Sequence, residues 1–382
     1  MRIGIVSGEY PPMQGGVGAF SRELALALGE LGSMVEVFTR AQAGSARGER
    51  VSVSGLVAER WGWGTLAQVR RWARDQRLEL LNIQFQTAAY DLHPAIHWLP
   101  RQMRSTGIAT VTTFHDLRVP YLFPKAGPLR EGIVRLLARS SAGVIATDHG
   151  DEARLRDDWR IPCVRWIPIG SNVTAAARDT IDRDAIRAGL GVRGDQLLIS
   201  YFGFLNETKG GLTLIQALAE LVRGGVDAQL VMIGGRAGAS DPTNQEYGRR
   251  VDEAIAANGL SERVHWSGFV DDAAVSGLFF ASDITAHPYA EGASLRRGTL
   301  MAALAHGRAI VTTRPVSAEL KGAVEAVEPG DPTALGAAMR GLWEDSARRE
   351  LLERAALAAS AQFTWASIAR STLDYYQEIL AR

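Results

Sequence analysis

Cysteine is nearly absent from this 382-residue chain: Cys163 stands alone. An intrachain disulfide is therefore excluded, no Cys/His metal cluster can be assembled around it, and a reducing cytoplasm is the simplest expected setting. A surplus of either charge is also missing. Lys+Arg and Asp+Glu both number 42, so the formal net charge is zero and the basic excess of a general nucleic-acid binder is lacking. No stretch of about 18 apolar residues occurs that could form a spanning helix. The apolar run Ile3 to Val6 is too short for a secretion signal, and Glu9 breaks the apolar character soon after it. Lysine is scarce: only Lys125, Lys209 and Lys321 stand among the 42 basic residues. Each one therefore draws attention. The motifs G-x-S-x-G, H-E-x-x-H and C-x-x-C are absent. Asp271-Asp272 reads as a cap for the helix after it, not as a metal-holding D-x-D.

What is present is an ordinary globular composition on a chain long enough for two domains, with 46% hydrophobic residues. RIGIVSG, VEVFT, LELLNIQF, ATVTTFHD and AGVIATD are short β-rich runs separated by segments with helical spacing. The pattern restarts with QLLISYFGFL, QLVMIGG, VHWSGFV, ITAHPY and AIVTTRP. Strands alternating with helices predict an α/β chain with two doubly wound parallel sheets. The polar stretch 171–195 marks the boundary. The predicted division is 1–172 and 173–364, with the amphipathic closing helix 365–382 completing the first domain. Ligands of such sheets bind beyond the carboxyl ends of the strands, so a cleft between the domains is expected to hold the chemistry.

Four strand-end loops carry candidate residues. In EYPPMQGGVGAFSREL, Gly15, Gly16 and Gly18 sit in a loop before a helix, where glycines permit close backbone approach and helix amides suit an anion. The spacing is not the dinucleotide fingerprint, and a plain tight turn fits equally. TTFHDL puts His115 at a strand end. GFLNETKGG sets Lys209 before a glycine pair that opens a helix, an arrangement suited to a diphosphate although it is not a Walker A loop. In HPYAEGASLRRGTL, Glu291 and Gly292 follow a strand and a helix is expected to start close to Ser294. Glu291 can accept hydrogen bonds from sugar hydroxyls, and the neighbouring amides can hold phosphate.

The order of these segments resembles the retaining glycosyltransferases of the GT-B fold, family 4. The resemblance runs over nearly the whole chain: P-P-x-x-G-G-x-G from Pro11 to Gly18, His115, IPIGSNV, TKGG at Lys209, LVMIGG, the G-F-V at Gly268 to Val270, the E-G at Glu291, and the closing helix. It implies transfer of a sugar from a UDP-, GDP- or ADP-sugar to an acceptor that the sequence does not name, with neither metal nor cofactor. Gly15 and Gly16 would approach the donor phosphate or the acceptor, and His115 would line the cleft near the sugar. Lys209, between Gly203 and Gly210, would bind the diphosphate. Val270 would meet the base through its backbone. Glu291 and Gly292 would hold the sugar, and the amides near Ser294 and Leu295 the distal phosphate.

Two positions depart from the family. Phe204 stands where an arginine is usual, and Thr299 where the second glutamate of E-x7-E typically binds ribose; Arg296 or Arg297 is a candidate to restore the missing charge. These departures leave a second reading open, a catalytically silent GT-B protein that binds a sugar or a partner. A third, a sugar-nucleotide epimerase, lacks the extra carboxylates it would want. Finally, RWGWGTLAQVRRWARDQR sets Trp61, Trp63 and Trp72 among Arg60, Arg70, Arg71 and Arg74. That mixture suits peripheral contact with an anionic membrane face, or a core-facing helix with a solvated basic side.

Overall fold

The computed structural model describes residues 1–13, 15–117, 127–235 and 242–382. Gln14 and Lys125 lie outside them. The chain forms two compact units: Met1–Asn172 with Phe363–Arg382, and Val173–Gln362.

The first unit is built on strands β1 (Arg2–Ser7), β2 (Met34–Arg40), β3 (Ala46–Arg47), β4 (Val51–Val57), β5 (Leu80–Phe85), β6 (Ala109–Phe114), β7 (Gly143–Ala146) and β8 (Val164–Trp166). Their order in the sheet is β3-β4-β2-β1-β5-β6-β7-β8. The central pairs are parallel and β3 alone runs antiparallel, against β4. Strand β5 is buried at every residue, as expected where helices cover both faces of a parallel sheet. VSVSGLV was not among the expected strands. Its valines alternate with serines on a half-exposed strand near the sheet edge, so it lacks a continuous apolar run.

The closing helix Trp365–Leu380 packs on helix Gly16–Glu30 within this unit. It buries Ile368, Ala369, Thr372, Tyr375, Tyr376 and Ile379, a helical stripe, and Thr364 caps its start by accepting from the Ser367 amide at 3.3 Å. The Tyr375 hydroxyl ties it to the sheet, accepting from the Val144 amide at 3.1 Å and donating to the Cys163 carbonyl at 2.9 Å.

The second unit holds β9 (Leu197–Phe202), β10 (Ala228–Ile233), β11 (Val264–Gly268), β12 (Ile284–His287), β13 (Ala309–Thr313) and β14 (Glu325–Val327). The order is β11-β10-β9-β12-β13-β14, all parallel. The order turns at β9, whose neighbours β10 and β12 lead away in opposite directions; such a point is where open α/β sheets bind ligands. Helix Gly211–Arg223 buries Leu214, Ile215, Leu218 and Leu221 against this sheet. Asp271 caps helix Asp272–Ala281 as the sequence predicts, accepting from the Ala274 amide at 2.9 Å.

The aromatic-basic segment divides. Trp61 and Trp72 are core residues at 3% and 5% exposure, while Trp63 is 53% exposed at the start of helix Trp63–Asp75. Of the two readings of this segment, its helix follows the core-facing one with a solvated basic side. Trp72 shares the inward stripe with Leu66, Val69 and Ala73, and Arg70, Arg71 and Arg74 face solvent.

Candidate active site

In the first unit, the chain leaves β1 and re-enters helix at Gly16, so Gly16 and Gly18 are helical and not in the expected loop. The helix start is also occupied. The Glu9 carboxylate accepts from the amides of Val17 and Gly18, both at 3.1 Å. A β-carbon at Gly15 would run into that carboxylate, which accounts for the glycine; one at Gly16 would meet open space. Burial pushes the Glu9 pKa up, and the two amides and Arg40 counter it only in part. Arg40 fixes the loop from behind, donating to the carbonyls of Gly8 at 2.8 Å and Ala89 at 3.2 Å and pairing with Asp91 at 2.7 Å.

His115 follows β6 and is half-buried, its ring edge-on to Phe20 at 4.7 Å. Its Nε2 lies 2.9 Å from Gln84 Oε1. Gln84 in turn donates to Asn82, and the Asn82 amide donates to Thr113 Oγ1 at 3.0 Å. With the Gln84 amide oriented this way, His115 donates from Nε2 and Nδ1 is the unprotonated nitrogen. Burial holds its pKa down at about 3, so it works as a neutral imidazole. This backing ladder is not among the residues expected from the sequence. Its signal was Asn82 and Gln84, two residues apart and hence on one face of an otherwise apolar strand.

In the second unit, the ends of β9, β10 and β11 meet at glycines. Gly203 donates to the Ile233 carbonyl at 2.9 Å, and Gly234 bridges to Gly268. Val270 lies just beyond, half-buried, after Phe269, which is 76% exposed. Gly203 has φ +119°, and a β-carbon there would lie 2.8 Å from Lys209 Nζ and 2.7 Å from Thr299 Cγ2. The missing side chain is thus the space that the lysine and the threonine share. Gly210 caps helix Gly211–Arg223 at φ +71°, and its β-carbon would collide with the Pro288 carbonyl. Gly292 has φ +85°, and its β-carbon would lie within 2.6 Å of the Pro315 backbone nitrogen and oxygen. These glycines are required by contact as well as by conformation.

Lys209 is half-buried, and no carboxylate among the described residues lies within ion-pair range of it. Burial, with the Arg297 guanidinium beside it, lowers its pKa to about 8. Arg297 sits over the Tyr289 ring at 4.8 Å and reaches Glu291 at 3.2 Å. The Tyr289 hydroxyl lies 2.7 Å from Thr299 Oγ1. Behind them His287 is fully buried and stacks on Tyr289 at 5.5 Å; burial and Lys209 hold its pKa down at about 3. One cluster therefore gathers Gly203, Lys209, Glu291, Arg297 and Thr299.

The expected helix start close to Ser294 is corrected. The helix starts at Gly298, four residues after Ser294, and Leu295 is 1% exposed in the loop before it. The helix amides nearest the cluster are those of Gly298 and Thr299, and Arg297 at the N-cap gives them no side-chain cap. Helix Gly211–Arg223 is less open: its Leu212 amide donates to the Tyr247 hydroxyl at 3.0 Å. Among the described residues no group of three His, Cys, Asp or Glu side chains is placed to hold a metal ion. No described helix is long and apolar enough to cross a membrane.

Comparison with known proteins matches both units. A family model described as a glycosyl transferase 4-like domain covers residues 15–170, and one described as glycosyl transferases group 1 covers residues 196–345. D-inositol 3-phosphate glycosyltransferase from Corynebacterium kroppenstedtii is 23% identical over 100% of this chain and 90% of its own length. Among solved structures, sucrose-phosphate synthase from Thermosynechococcus elongatus superposes with a TM-score of 0.77 at 20% identity, covering 100% of this chain and 99% of that one. HepE from Anabaena in complex with UDP gives 0.75 at 20% identity, over 99% and 100%. With one glycosyltransferase model on each unit, two parallel α/β sheets and these structural neighbours, the chain belongs among the glycosyltransferases of the GT-B fold.

Proposed function

We propose that this glycosyltransferase is a retaining, metal-independent enzyme that takes its sugar from a nucleoside diphosphate sugar bound at the second unit. The observation that carries this reading is the positive surplus at the end of β9, where Lys209 lies against Gly203 and within electrostatic reach of Arg297, with Glu291 as the carboxylate paired to Arg297. Buried like charges are costly until an anion joins them. A diphosphate leaving group is such an anion, and preformed cations stabilise its charge as it develops. In this reading Glu291 accepts from sugar hydroxyls, Val270 meets the base through its backbone, and the Gly298 and Thr299 amides take the distal phosphate. The first unit is the acceptor side, and His115, held neutral, hydrogen-bonds a sugar hydroxyl. UDP is the first nucleotide to try, since the structural neighbour HepE has been solved with UDP and with UDP-glucose. Inositol phosphates head the acceptor panel because of the relative's name.

The test is thermal unfolding with UDP, GDP and ADP, followed by transfer from the matching nucleotide-glucose to D-inositol 3-phosphate and other sugar phosphates. A ligand at about 100 times its Kd stabilises by about 2.7 kcal/mol, which moves the melting temperature of a protein this size by several degrees. No shift with any of the three nucleotides overturns the reading. Binding without transfer or donor hydrolysis favours the silent protein instead, a reading that rests on the Thr299 hydroxyl already engaging Tyr289.

A further inference from the structure

We propose that Arg297 is a second diphosphate-binding cation, held ready over Tyr289 and against Glu291 until the phosphates arrive. The proposal rests on the donor-site reading above and goes beyond it, because position 297 lies outside the positions that the family resemblance assigns to donor binding.

Three observations carry it. Arg297 and Arg296 are adjacent, so they leave the chain in different directions; Arg297 is the one that lies over the Tyr289 ring and beside Lys209. Its side chain is 19% exposed, enough to exclude most water while leaving an approach. It is the N-cap of a helix that has no side-chain cap, so the guanidinium stands at the same end as the open amides of Gly298 and Thr299.

The geometry also explains why the site tolerates its two departures. Phe204 removes a guanidinium from the β9 side, and Arg297 returns one from the β12 side. Thr299 is the small residue this requires. Its methyl fills the Gly203 gap and its hydroxyl engages Tyr289, which keeps the ring under the guanidinium. A glutamate at 299 would instead set a carboxylate between two cations and compete with phosphate for them. Glu291 pairs with Arg297 at a half-exposed position, where such a pair is worth little and can give way to a dianion.

The experiment titrates inorganic pyrophosphate, which carries no base or ribose, into the wild-type chain and the variants Arg297→Gln, Arg297→Lys, Glu291→Gln and Lys209→Ala. Calorimetry is run at several pH values, and thermal unfolding checks that each variant folds. The expected result is a loss of about tenfold or more in pyrophosphate affinity for Arg297→Gln and a smaller loss for Arg297→Lys, whereas Glu291→Gln, which removes the carboxylate that holds Arg297, should bind more tightly than wild type. The pH at which binding fades should also move up in Arg297→Gln, because Lys209 loses its like-charged neighbour. If wild type binds, Lys209→Ala loses binding and Arg297→Gln does not, Arg297 merely positions Glu291 and this proposal alone is overturned. If wild type binds neither pyrophosphate nor any nucleoside diphosphate, the donor-site reading falls, and this proposal with it.

Discussion

The two units use one device in opposite ways. Each has a glycine-rich helix start just beyond a parallel strand, a natural seat for an anion. In the first unit the protein supplies the anion itself: Glu9 occupies the amides of Val17 and Gly18. In the second, Lys209 and Arg297 gather at the strand ends with Glu291 as the carboxylate paired to Arg297. A filled helix start is a structural joint, whereas a positive surplus holds free energy that a ligand can release. Glycine content alone does not distinguish the two. What decides is whether a carboxylate from the chain reaches the amides first.

Lys209→Ala should break the comparison most severely. Removing a preformed charge partner of a leaving group typically costs about a hundredfold or more in turnover. The fold should survive, since the variant also removes a half-buried ammonium; kinetics beside thermal unfolding checks both. Near-normal turnover at saturating donor would remove the distinction between the units.

Next in size is Thr299→Glu. The packing of Thr299 against Gly203 and Tyr289 leaves a glutamate no vacant place, and its carboxylate would sit with the two cations. The second site would then resemble the first, filled from within. Pyrophosphate affinity should fall about tenfold, and the Lys209 pKa should rise toward its ordinary value. Tighter binding of UDP in calorimetry would show instead that the ribose seat is intact and lacks only its acid.

The third prediction concerns pH. The folded pKa of Lys209, about 8, lies below the ordinary 10.5, so between these values the folded chain binds fewer protons than the unfolded one, and stability rises with pH across that window. Nucleotide binding should behave in the opposite sense. An anion favours the protonated lysine, so binding takes up a proton near pH 8 and weakens by up to about tenfold per pH unit above it. Affinity that stays flat from pH 7 to 10 would separate Lys209 from the ligand.

The smallest effect is expected at Glu9. Glu9→Ala opens the amides of Val17 and Gly18 and should cost about 1 kcal/mol of stability, the usual worth of a lost cap. Because the folded pKa of Glu9 is raised, its contribution is fully present below the unfolded carboxylate pKa and lost as pH rises through the folded value. Glu9→Gln should flatten that part of the acid stability profile. If Glu9→Ala also creates a weak sulfate site, seen by calorimetry, the two helix starts differ only in who supplies the anion.

Much of this organisation could be read before the structure. The apolar runs that became β1, β2, β5, β6, β9, β10 and β13 announce themselves because strands buried on both faces need continuous hydrophobicity. Lys209 stood out as a rare lysine before two glycines. Helix starts were the weak point: Gly16 and Gly298 begin helices whose N-caps, Gly15 and Arg297, make no side-chain cap bond, so the usual Ser, Thr, Asp or Asn signal is absent. The choice between Arg296 and Arg297 was also closed to sequence reading, because adjacent residues differ only in direction and direction depends on where Tyr289 lies.

Periodicity, glycine placement and composition by themselves determined that this chain makes two α/β sheets with candidate chemistry in the loops after the strands. They are local properties, set by each residue's own conformational and hydrophobic preferences. Only the tertiary structure decided that Glu9 fills one anion seat, that Gln84 and Asn82 back His115, and that Arg297 comes within electrostatic reach of Lys209. Those pairings join residues 8 to 88 positions apart, and their worth is electrostatic. It depends on distance and burial, which the chain acquires only once it has folded.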